Sequence, residues 1–413
     1  MSKKKKYDDG YGWTQNFLRI IIIILLIMVI IAAFLIYKKA NTSTPVVFAD
    51  ETFDSIYFDT EFDSMDTLPA ITFEVITREP VVEIRENVLY DGFELPISGA
   101  TGYVGAEVYM RSTPDFAASS VTVLSPGDCF MIIDDNGTWL QIRKGGQIGW
   151  IENKYCMVNM PDVCPSIVYD NTNSESSLFM SSGFTLPGVS GEQLYNAKSY
   201  NERLKKDEFV MPILYDSAKK LCHAQQLAIR LGYTYVVYET FRPYDIQVKV
   251  ASSLSQLAAS NKKVKSGITS GGWSVTWFIS TSRSNHQYGF AFDTSLAQIT
   301  SVTTQKIGKY EITVPQTYSE CNMPTVMHEL SISAVNYIKP YSSVKKTGWE
   351  GVELAPTMTD DAKLLRYIST SAGFIPLASE WWHFNDLDTK DKTKDNPSLG
   401  EFFVGTCLSS IPD

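Results

Sequence analysis

The hydrophobic and polar positions of this 413-residue chain form three successive patterns. An apolar run without a charge first fills residues 20–37, which is long enough for a helix that crosses a bilayer. Between about residues 98 and 160 the pattern changes to short alternating runs separated by turn signals such as Asp135-Asn136-Gly137. These runs predict a small all-β barrel. From residue 165 to the end, helical and strand-like periods alternate.

The segment 165–413 is predicted to have an α+β fold around a central, mostly antiparallel sheet. Apolar spacing predicts a helix within residues 213–231, closed by Gly232, and a second helix over residues 244–259. Between them, residues 233–239 alternate as a strand. Residues 267–272 are glycine- and serine-rich and are interpreted as a flexible loop. A third helix is expected over residues 360–368, capped by the aspartate at its start.

Basic residues lie on the N-terminal side of the apolar run, with four lysines at positions 3–6 and Arg19 immediately before it. The positive-inside rule therefore places residues 1–19 in the cytoplasm as a basic tail and everything after residue 40 outside. No small-x-small cleavage site follows the run, so an uncleaved anchor is favoured over a cleaved signal peptide. We expect a single-pass protein of the cell membrane, with residues 20–37 as its transmembrane helix.

Residues 38–97 are acidic and lack helical periodicity. Repulsion among their carboxylates should keep this segment extended, as an extracytoplasmic stalk. The whole chain has a net charge of -10, which argues against a nucleic-acid partner. Its six cysteines show no zinc-finger spacing, and although Cys129 with Cys156 is a plausible pair, no disulfide is assigned.

Two short segments carry chemistry, residues 284–293 and residues 380–384. The first offers His286 and Asp293, and Gly289 between them can supply the turn that lets both side chains converge. The second offers Glu380 and His383 among aromatic residues that favour a strand. Either spacing alone is also common in buried core pairs. Together they contain the parts of a catalytic zinc site, in which three ligands leave a position for water and a glutamate takes the proton of that water.

With residues 239–243 upstream, these segments resemble the zinc D-alanyl-D-alanine dipeptidases and D,D-carboxypeptidases of the vancomycin-resistance type. The S-x-H-x-x-G-x-A-x-D motif of that family is matched at Ser284, His286, Gly289, Ala291 and Asp293. Its E-W-W-H motif is matched at Glu380, Trp381, Trp382 and His383. Its G-Y-R-P segment is matched in part, with Arg242 and Pro243 kept. The resemblance extends from about residue 194 to residue 384.

The resemblance implies a role for each matched residue. The Zn²⁺ ligands correspond to His286, Asp293 and His383. Glu380 corresponds to the general base, and Arg242 to the cation that pairs with the developing oxyanion. Ser284 contacts substrate in this family, although here it can equally cap the turn, and Trp381 and Trp382 are expected to wall the substrate pocket.

One position departs from the family pattern. The dipeptidases carry an M-G-T-x-F-D-like segment whose aspartate holds the free ammonium of the substrate, and the best match here ends in His328. We therefore place His328 at the substrate. Glu329 follows, but on a strand it would face the other way. This departure favours a D,D-carboxypeptidase acting on peptidoglycan stem peptides over a dipeptidase acting on free D-Ala-D-Ala. An endopeptidase and an inactive cell-wall-binding protein remain alternatives.

The segment 98–160 resembles the bacterial SH3-like domains. It has a strand ending in R-S-x-P at residues 111–114, a W-x-x-I strand from Trp139 and a G-W-I strand around Trp150. Such modules usually bind cell-wall peptides or act as spacers. Both tryptophans are interpreted as core residues, because a domain this small needs its aromatic side chains inside.

Overall fold

The computed structural model describes residues 84–401 and 407–413. The predicted basic tail, the membrane anchor at residues 20–37 and residues 38–83 of the predicted stalk lie outside this part. Within the described residues, no helix is both long enough and apolar enough to span a membrane.

Strands and helices alternate along the described chain in a mixed α+β arrangement. The strands are β1 (Thr101–Val104), β2 (Val108–Arg111), β3 (Ser120–Leu124), β4 (Cys129–Asp135), β5 (Trp139–Lys144), β6 (Gln147–Glu152), β7 (Cys156–Asn159), β8 (Val168–Tyr169), β9 (Met180–Ser181), β10 (Phe184–Thr185), β11 (Lys198–Asn201), β12 (Lys206–Phe209), β13 (Pro212–Leu214), β14 (Tyr233–Glu239), β15 (Ala291–Ile307), β16 (Tyr310–Glu320), β17 (Ile375–Leu377) and β18 (Glu380–Asn385). The helices are α1 (Met160–Val163), α2 (Tyr215–Arg230), α3 (Tyr244–Ser260), α4 (Lys262–Thr269), α5 (Val275–Phe278), α6 (Asn285–Tyr288), α7 (Asp360–Ser371) and α8 (Leu387–Thr393).

The first sheet contains the predicted barrel strands. Its eight strands follow the order β13-β7-β1-β4-β5-β6-β2-β3, and all neighbours are antiparallel. Trp139 is buried as expected, whereas Trp150 is half-buried. The edge strand β13 comes from the C-terminal segment, with Ile213 opposite Val158. Barrel and C-terminal segment therefore share one sheet, and their buried side chains belong to one hydrophobic core.

The second sheet follows the order β17-β18-β15-β14-β8, with β16 paired to the outer part of β15. Its pairings are antiparallel except that of β14 with β8. The expected α+β architecture with a mostly antiparallel sheet is thus confirmed. Tyr235, Val236 and Val237 of β14 are all buried, and since successive strand residues point to opposite faces, both faces of the sheet are covered at its centre.

The end of the predicted stalk is packed into the fold, since Phe93 and Leu95 are fully buried, and three further elements differ from the sequence-based expectation. The helix expected within residues 213–231 begins only at Tyr215, because Ile213 is taken up by β13. The loop expected at residues 267–272 is the end of α4 followed by a 3-10 turn, since the Asn261 side chain caps the helix and Val264 is buried. Helix α7 is capped by Thr359 rather than by Asp360, through an Oγ1 contact to the amide of Ala362.

Candidate metal centre

One row of residues crosses three neighbouring strands of the second sheet. Asp293 on β15 lies directly opposite His383 on β18 and, on its other side, opposite Glu239 on β14. Directly opposed residues of antiparallel strands project from the same face of the sheet. The β14 register shifts between Val237 and Glu239, and this irregularity brings Glu239 level with Asp293. The sheet itself therefore assembles most of the site.

His286 reaches the same place from the short helix α6, which precedes β15. Gly289 ends this helix in the left-handed conformation, with φ of 81°, and turns the chain into the strand. His286 Nε2 lies 3.3 Å from Asp293 Oδ1, which confirms the expected convergence. A side chain at Gly289 is excluded twice, because its Cβ would also lie 2.4 Å from Met157 Cε. The Gly289 carbonyl accepts a hydrogen bond from Leu214 N at 2.8 Å, so the first sheet supports this turn.

His286, Asp293 and His383 form a compact, buried triangle of donor atoms that all lie within 4.8 Å of one another. His383 Nδ1 lies 2.9 Å from Asp293 Oδ1 and 3.1 Å from His286 Nε2. The other ring nitrogens have outer partners: Thr240 O is 3.4 Å from His286 Nδ1, and Asn385 Oδ1 is 3.1 Å from His383 Nε2. Such partners orient metal-binding imidazoles. Two imidazoles and one carboxylate are a zinc donor set, so these residues fit that ion.

The charges of this triangle depend on one another. Burial opposes ionisation, but contacts with the histidines, His286 foremost, hold the pKa of Asp293 well below its usual range. Burial lowers the pKa of His286. For His383 burial acts in the same direction, but the hydrogen bond to Asp293 prevails and raises its pKa.

Glu380 lies beside the triangle at the start of β18. Its Oε2 is 3.8 Å from His383 Nδ1, and only 8% of the residue is exposed. Burial raises the pKa of Glu380 to about 8. The register between β17 and β18 shifts next to this position, and the strand is therefore irregular where the two side chains come together. The arrangement suits a carboxyl group that exchanges a proton near neutral pH.

Arg242 lies on the opposite side of Asp293, just after the end of β14. Its Nη2 donates to Asp293 Oδ2 at 2.9 Å and also contacts Glu239. Its Nε donates to Glu239 Oε2 at 2.6 Å, and its Nη1 donates to Gln247 Oε1 at 2.9 Å. Burial disfavours the charge, but Glu239 and Asp293 raise the pKa of Arg242 above its usual value. The guanidinium therefore balances two buried carboxylates.

His328 is also on this side of Asp293. Its Nε2 lies 3.2 Å from Asp293 Oδ2, and its ring stacks on Phe179 with centroids 4.3 Å apart. Trp382 meets the ring edge-on at 5.9 Å. The backbone of His328 is left-handed, with φ of 60°. The residue that the sequence places at the substrate thus contacts a candidate metal ligand.

The remaining sequence-predicted residues line the surroundings of the centre. Ser284 precedes α6, but its side chain does not cap the helix. Its Oγ is buried without a hydrogen-bond partner in the part of the chain that the structure describes. Trp381 and Trp382 are each 1% exposed and pack edge-on at 5.3 Å. Trp381 Nε1 donates to Thr325 Oγ1 at 2.9 Å.

Sequence reasoning missed three residues of the network, namely Glu239, Gln247 and Asn385. Asn385 follows His383 by two residues on a strand, and because alternate strand residues point to the same face, the sequence could have predicted its position. Glu239 begins the segment 239–243 and precedes Arg242 by three residues at a strand end, but the family motif gives it no role. Gln247, on α3, gave no signal of its own.

Comparison with known families identifies one part of the chain. Residues 106–156 match the family model for the bacterial SH3 domain. This match covers β2 to β6 and the first residue of β7, and it confirms the SH3-like resemblance of that segment. No curated protein matches the chain.

Proposed function

We propose that this protein is a zinc D,D-carboxypeptidase that removes the terminal D-alanine from peptidoglycan stem peptides. The observation that carries the proposal is the convergence of His286, Asp293 and His383, whose donor atoms lie within 4.8 Å of one another. These three residues match the two family motifs. Glu380 is the fourth matched residue, and its Oε2 lies 3.8 Å from His383 Nδ1. Four matched residues from two distant segments of the chain therefore meet at one buried point.

In the proposed mechanism each residue has a defined task. Bound zinc would supply a Lewis acid that polarises the scissile carbonyl and activates water. Glu380 Oε2 takes the proton of the attacking water and returns it to the leaving amine of D-alanine. Its raised pKa, about 8, suits both transfers near neutral pH. Trp381 and Trp382 wall the pocket against water, and Ser284 Oγ, which has no partner among the described residues, is available to contact the substrate.

Arg242 is proposed to stabilise the oxyanion. Its Nε, Nη1 and Nη2 donate to Glu239, Gln247 and Asp293 in turn, and Nη2 also forms an ion pair with Glu239, so the guanidinium plane is fixed. The second N–H of Nη1 has no acceptor among the residues that the structure describes. A donor held rigidly in this way needs no reorganisation during the reaction, and losing one such donor typically costs about 3 kcal/mol of transition-state stabilisation.

The substrate class follows from His328 and from the SH3-like segment. A histidine offers no negative charge for the free ammonium of a dipeptide. An aspartate there would add a third carboxylate beside Glu239 and Asp293, because His328 Nε2 lies only 3.2 Å from Asp293 Oδ2. An N-acylated stem peptide has an amide at that place and loses no such contact. Bacterial SH3 domains often bind cell-wall components, and residues 106–156 are proposed to do so here.

The decisive experiment compares two substrates of the purified full-length protein. We expect release of D-alanine from an N-acylated peptide ending in D-Ala-D-Ala to exceed cleavage of the free dipeptide by roughly ten- to a hundredfold in kcat/KM. Glu380→Gln should retain zinc but lose activity, because only the proton carrier is removed. A clear preference for the free dipeptide would establish the alternative, a D-Ala-D-Ala dipeptidase. A parent protein that binds no zinc would instead establish an inactive wall-binding protein.

The location of the enzyme is a separate proposal. The basic residues before the apolar run at 20–37 predict that the N-terminus is cytoplasmic and that the rest of the chain faces the cell wall. Protease added to intact cells should then remove the C-terminal segment and spare a cytoplasmic marker. Protection of both would contradict this topology.

A further inference from the structure

The segment that contains His328 also lines a cavity of about 530 Å³. Thr325 and Glu329 both line it. Thr325 Oγ1 accepts the hydrogen bond from Trp381 Nε1, next to Glu380, and His328 contacts Asp293. Residues 325–329 therefore form a wall of the cavity and also contact β15 and β18, the two strands that carry Asp293 and Glu380. The volume lies within the range of ~300–1,000 Å³ that is typical of small-ligand sites.

The cavity contains a buried carboxylate without a cation. Glu329 is 5% exposed, and its two oxygens accept hydrogen bonds from the backbone amides of Ser182 and of Gly183, the latter at 3.2 Å. Across residues 84–401 and 407–413, no lysine, arginine or histidine nitrogen forms an ion pair with it. Buried charges are normally paired. An oriented, unpaired carboxylate in a cavity is suited to bind a cationic group.

Two further side chains define the chemistry of the cavity. Ser182 Oγ is buried, lines the cavity and lacks a hydrogen-bond partner in the described part of the chain. It can accept an N–H from a group bound at Glu329. Lys263 also lines the cavity, and its Nζ lies 5.5 Å from the centre of the Phe184 ring. The cavity thus offers both a negative and a positive group that are not paired with each other.

We propose that this cavity binds the side-chain ammonium of the diamino acid that precedes the D-alanine pair in the substrate. This inference rests on the proposed carboxypeptidase function. The ammonium would donate to the Glu329 carboxylate and to Ser182 Oγ. A lysine-type residue supplies the ammonium alone, whereas a diaminopimelate-type residue adds a carboxylate that Lys263 can meet. The α-ammonium of a free dipeptide would bind elsewhere. It belongs to the residue whose carbonyl is cleaved, and we place it near His328 and Asp293.

The test uses three N-acyl tripeptides X-D-Ala-D-Ala, in which X is norleucine, lysine or diaminopimelate, with the full-length zinc-loaded protein. The parent should prefer lysine to norleucine by roughly tenfold or more in kcat/KM, mainly through KM. Glu329→Gln should bring this ratio close to one. Ser182→Ala, which leaves the backbone contacts of Glu329 in place, should reduce it severalfold. Lys263→Gln is the matched control, and it should lower only the ratio of diaminopimelate to lysine.

A parent ratio near one, or an undiminished ratio in Glu329→Gln, would overturn the inference. Equilibrium binding separates it from the proposed function, since the Glu380→Gln protein should bind the lysine peptide more tightly than the norleucine peptide without turning either over. Adding Glu329→Gln to that protein should equalise the two affinities. Absence of turnover in the parent, together with this difference in binding, would contradict the carboxypeptidase and support the cavity as an ammonium site.

Discussion

Asp293 divides the centre into two sides that are built from similar residues and differ in charge. On the Oδ1 side lie His286 and His383, and on the Oδ2 side lie Glu239 and His328. Each side brings three possible ligand atoms, Asp293 included, within 4.8 Å of one another. On the Oδ2 side, however, the guanidinium of Arg242 already bonds both carboxylates.

This difference shows that proximity of donor atoms does not define a metal site. An arginine remains charged under all ordinary conditions, so a metal ion on this side would meet a positive charge that cannot be neutralised by loss of a proton. On the Oδ1 side, no lysine or arginine of the described residues forms an ion pair with the donor atoms. We therefore propose that zinc binds on the Oδ1 side and that the Oδ2 side has a supporting role.

The largest expected effect separates the two sides directly. His383→Ala removes one of three ligands and should reduce zinc from about one ion per chain to almost none. Glu239→Gln is the matched change on the other side, and it should leave the zinc content near that of the parent. Elemental analysis of both purified proteins decides the point. Loss of zinc in Glu239→Gln with retention in His383→Ala would reverse the assignment.

The second prediction concerns the stability of the Oδ2 side. Arg242→Met leaves the buried carboxylates of Glu239 and Asp293 without their cation, so the free energy of unfolding of the metal-free protein should fall by roughly 3–5 kcal/mol. Adding Glu239→Gln removes one of those uncompensated charges. The double variant should therefore lose less than the sum of the two single losses.

Denaturant unfolding of the parent, the Arg242→Met and Glu239→Gln variants and the double variant measures the coupling between these two residues. Additive losses would mean that Arg242 does not act through Glu239, in spite of the 2.6 Å hydrogen bond between them. Activity provides a second measurement, because the proposed contact with the oxyanion predicts a loss of turnover beyond any loss of folded protein.

The two sides also differ in how far sequence alone reveals them. The Oδ1 side was predictable because Gly289 permits the turn between His286 and Asp293, and because aromatic residues around His383 favour a strand. These signals are local. The Oδ2 side depends on the register shift that sets Glu239 level with Asp293, and on the left-handed backbone of His328. Both follow from tertiary packing and leave no periodic trace in the sequence.

The same reasoning explains what was missed in the fold. The apolar spacing that predicts α2 includes Leu214, yet Ile213 and Leu214 pair with Val158 and Met157 in the edge strand of the first sheet. Leu214 at the end of that strand donates to the Gly289 carbonyl. A contact between an SH3-like sheet and the turn beyond His286 joins residues far apart in the chain, and only the folded structure reveals it.

The smallest expected effect concerns His328, and it refines the role of the Oδ2 side. His328→Phe keeps the stacking on Phe179 but removes the Nε2 contact to Asp293. Mutation of a residue that hydrogen-bonds to a metal ligand typically lowers metal affinity by roughly 10- to 100-fold. Because Arg242 still donates to the same oxygen, we expect the zinc affinity to fall by about tenfold, at the lower end of that range.

His328→Gln provides the control, since its amide N–H can replace the Nε2–H that donates to Asp293 Oδ2. Glutamine and phenylalanine should both be strained at φ of 60°, so their comparison isolates the hydrogen bond. Competition with a zinc chelator should show near-parent affinity for His328→Gln and weaker binding for His328→Phe. Equal affinities would mean that His328 only packs against Phe179 and Trp382. A difference would show that this histidine, at the position where the family carries an aspartate, acts on zinc through the carboxylate that it contacts.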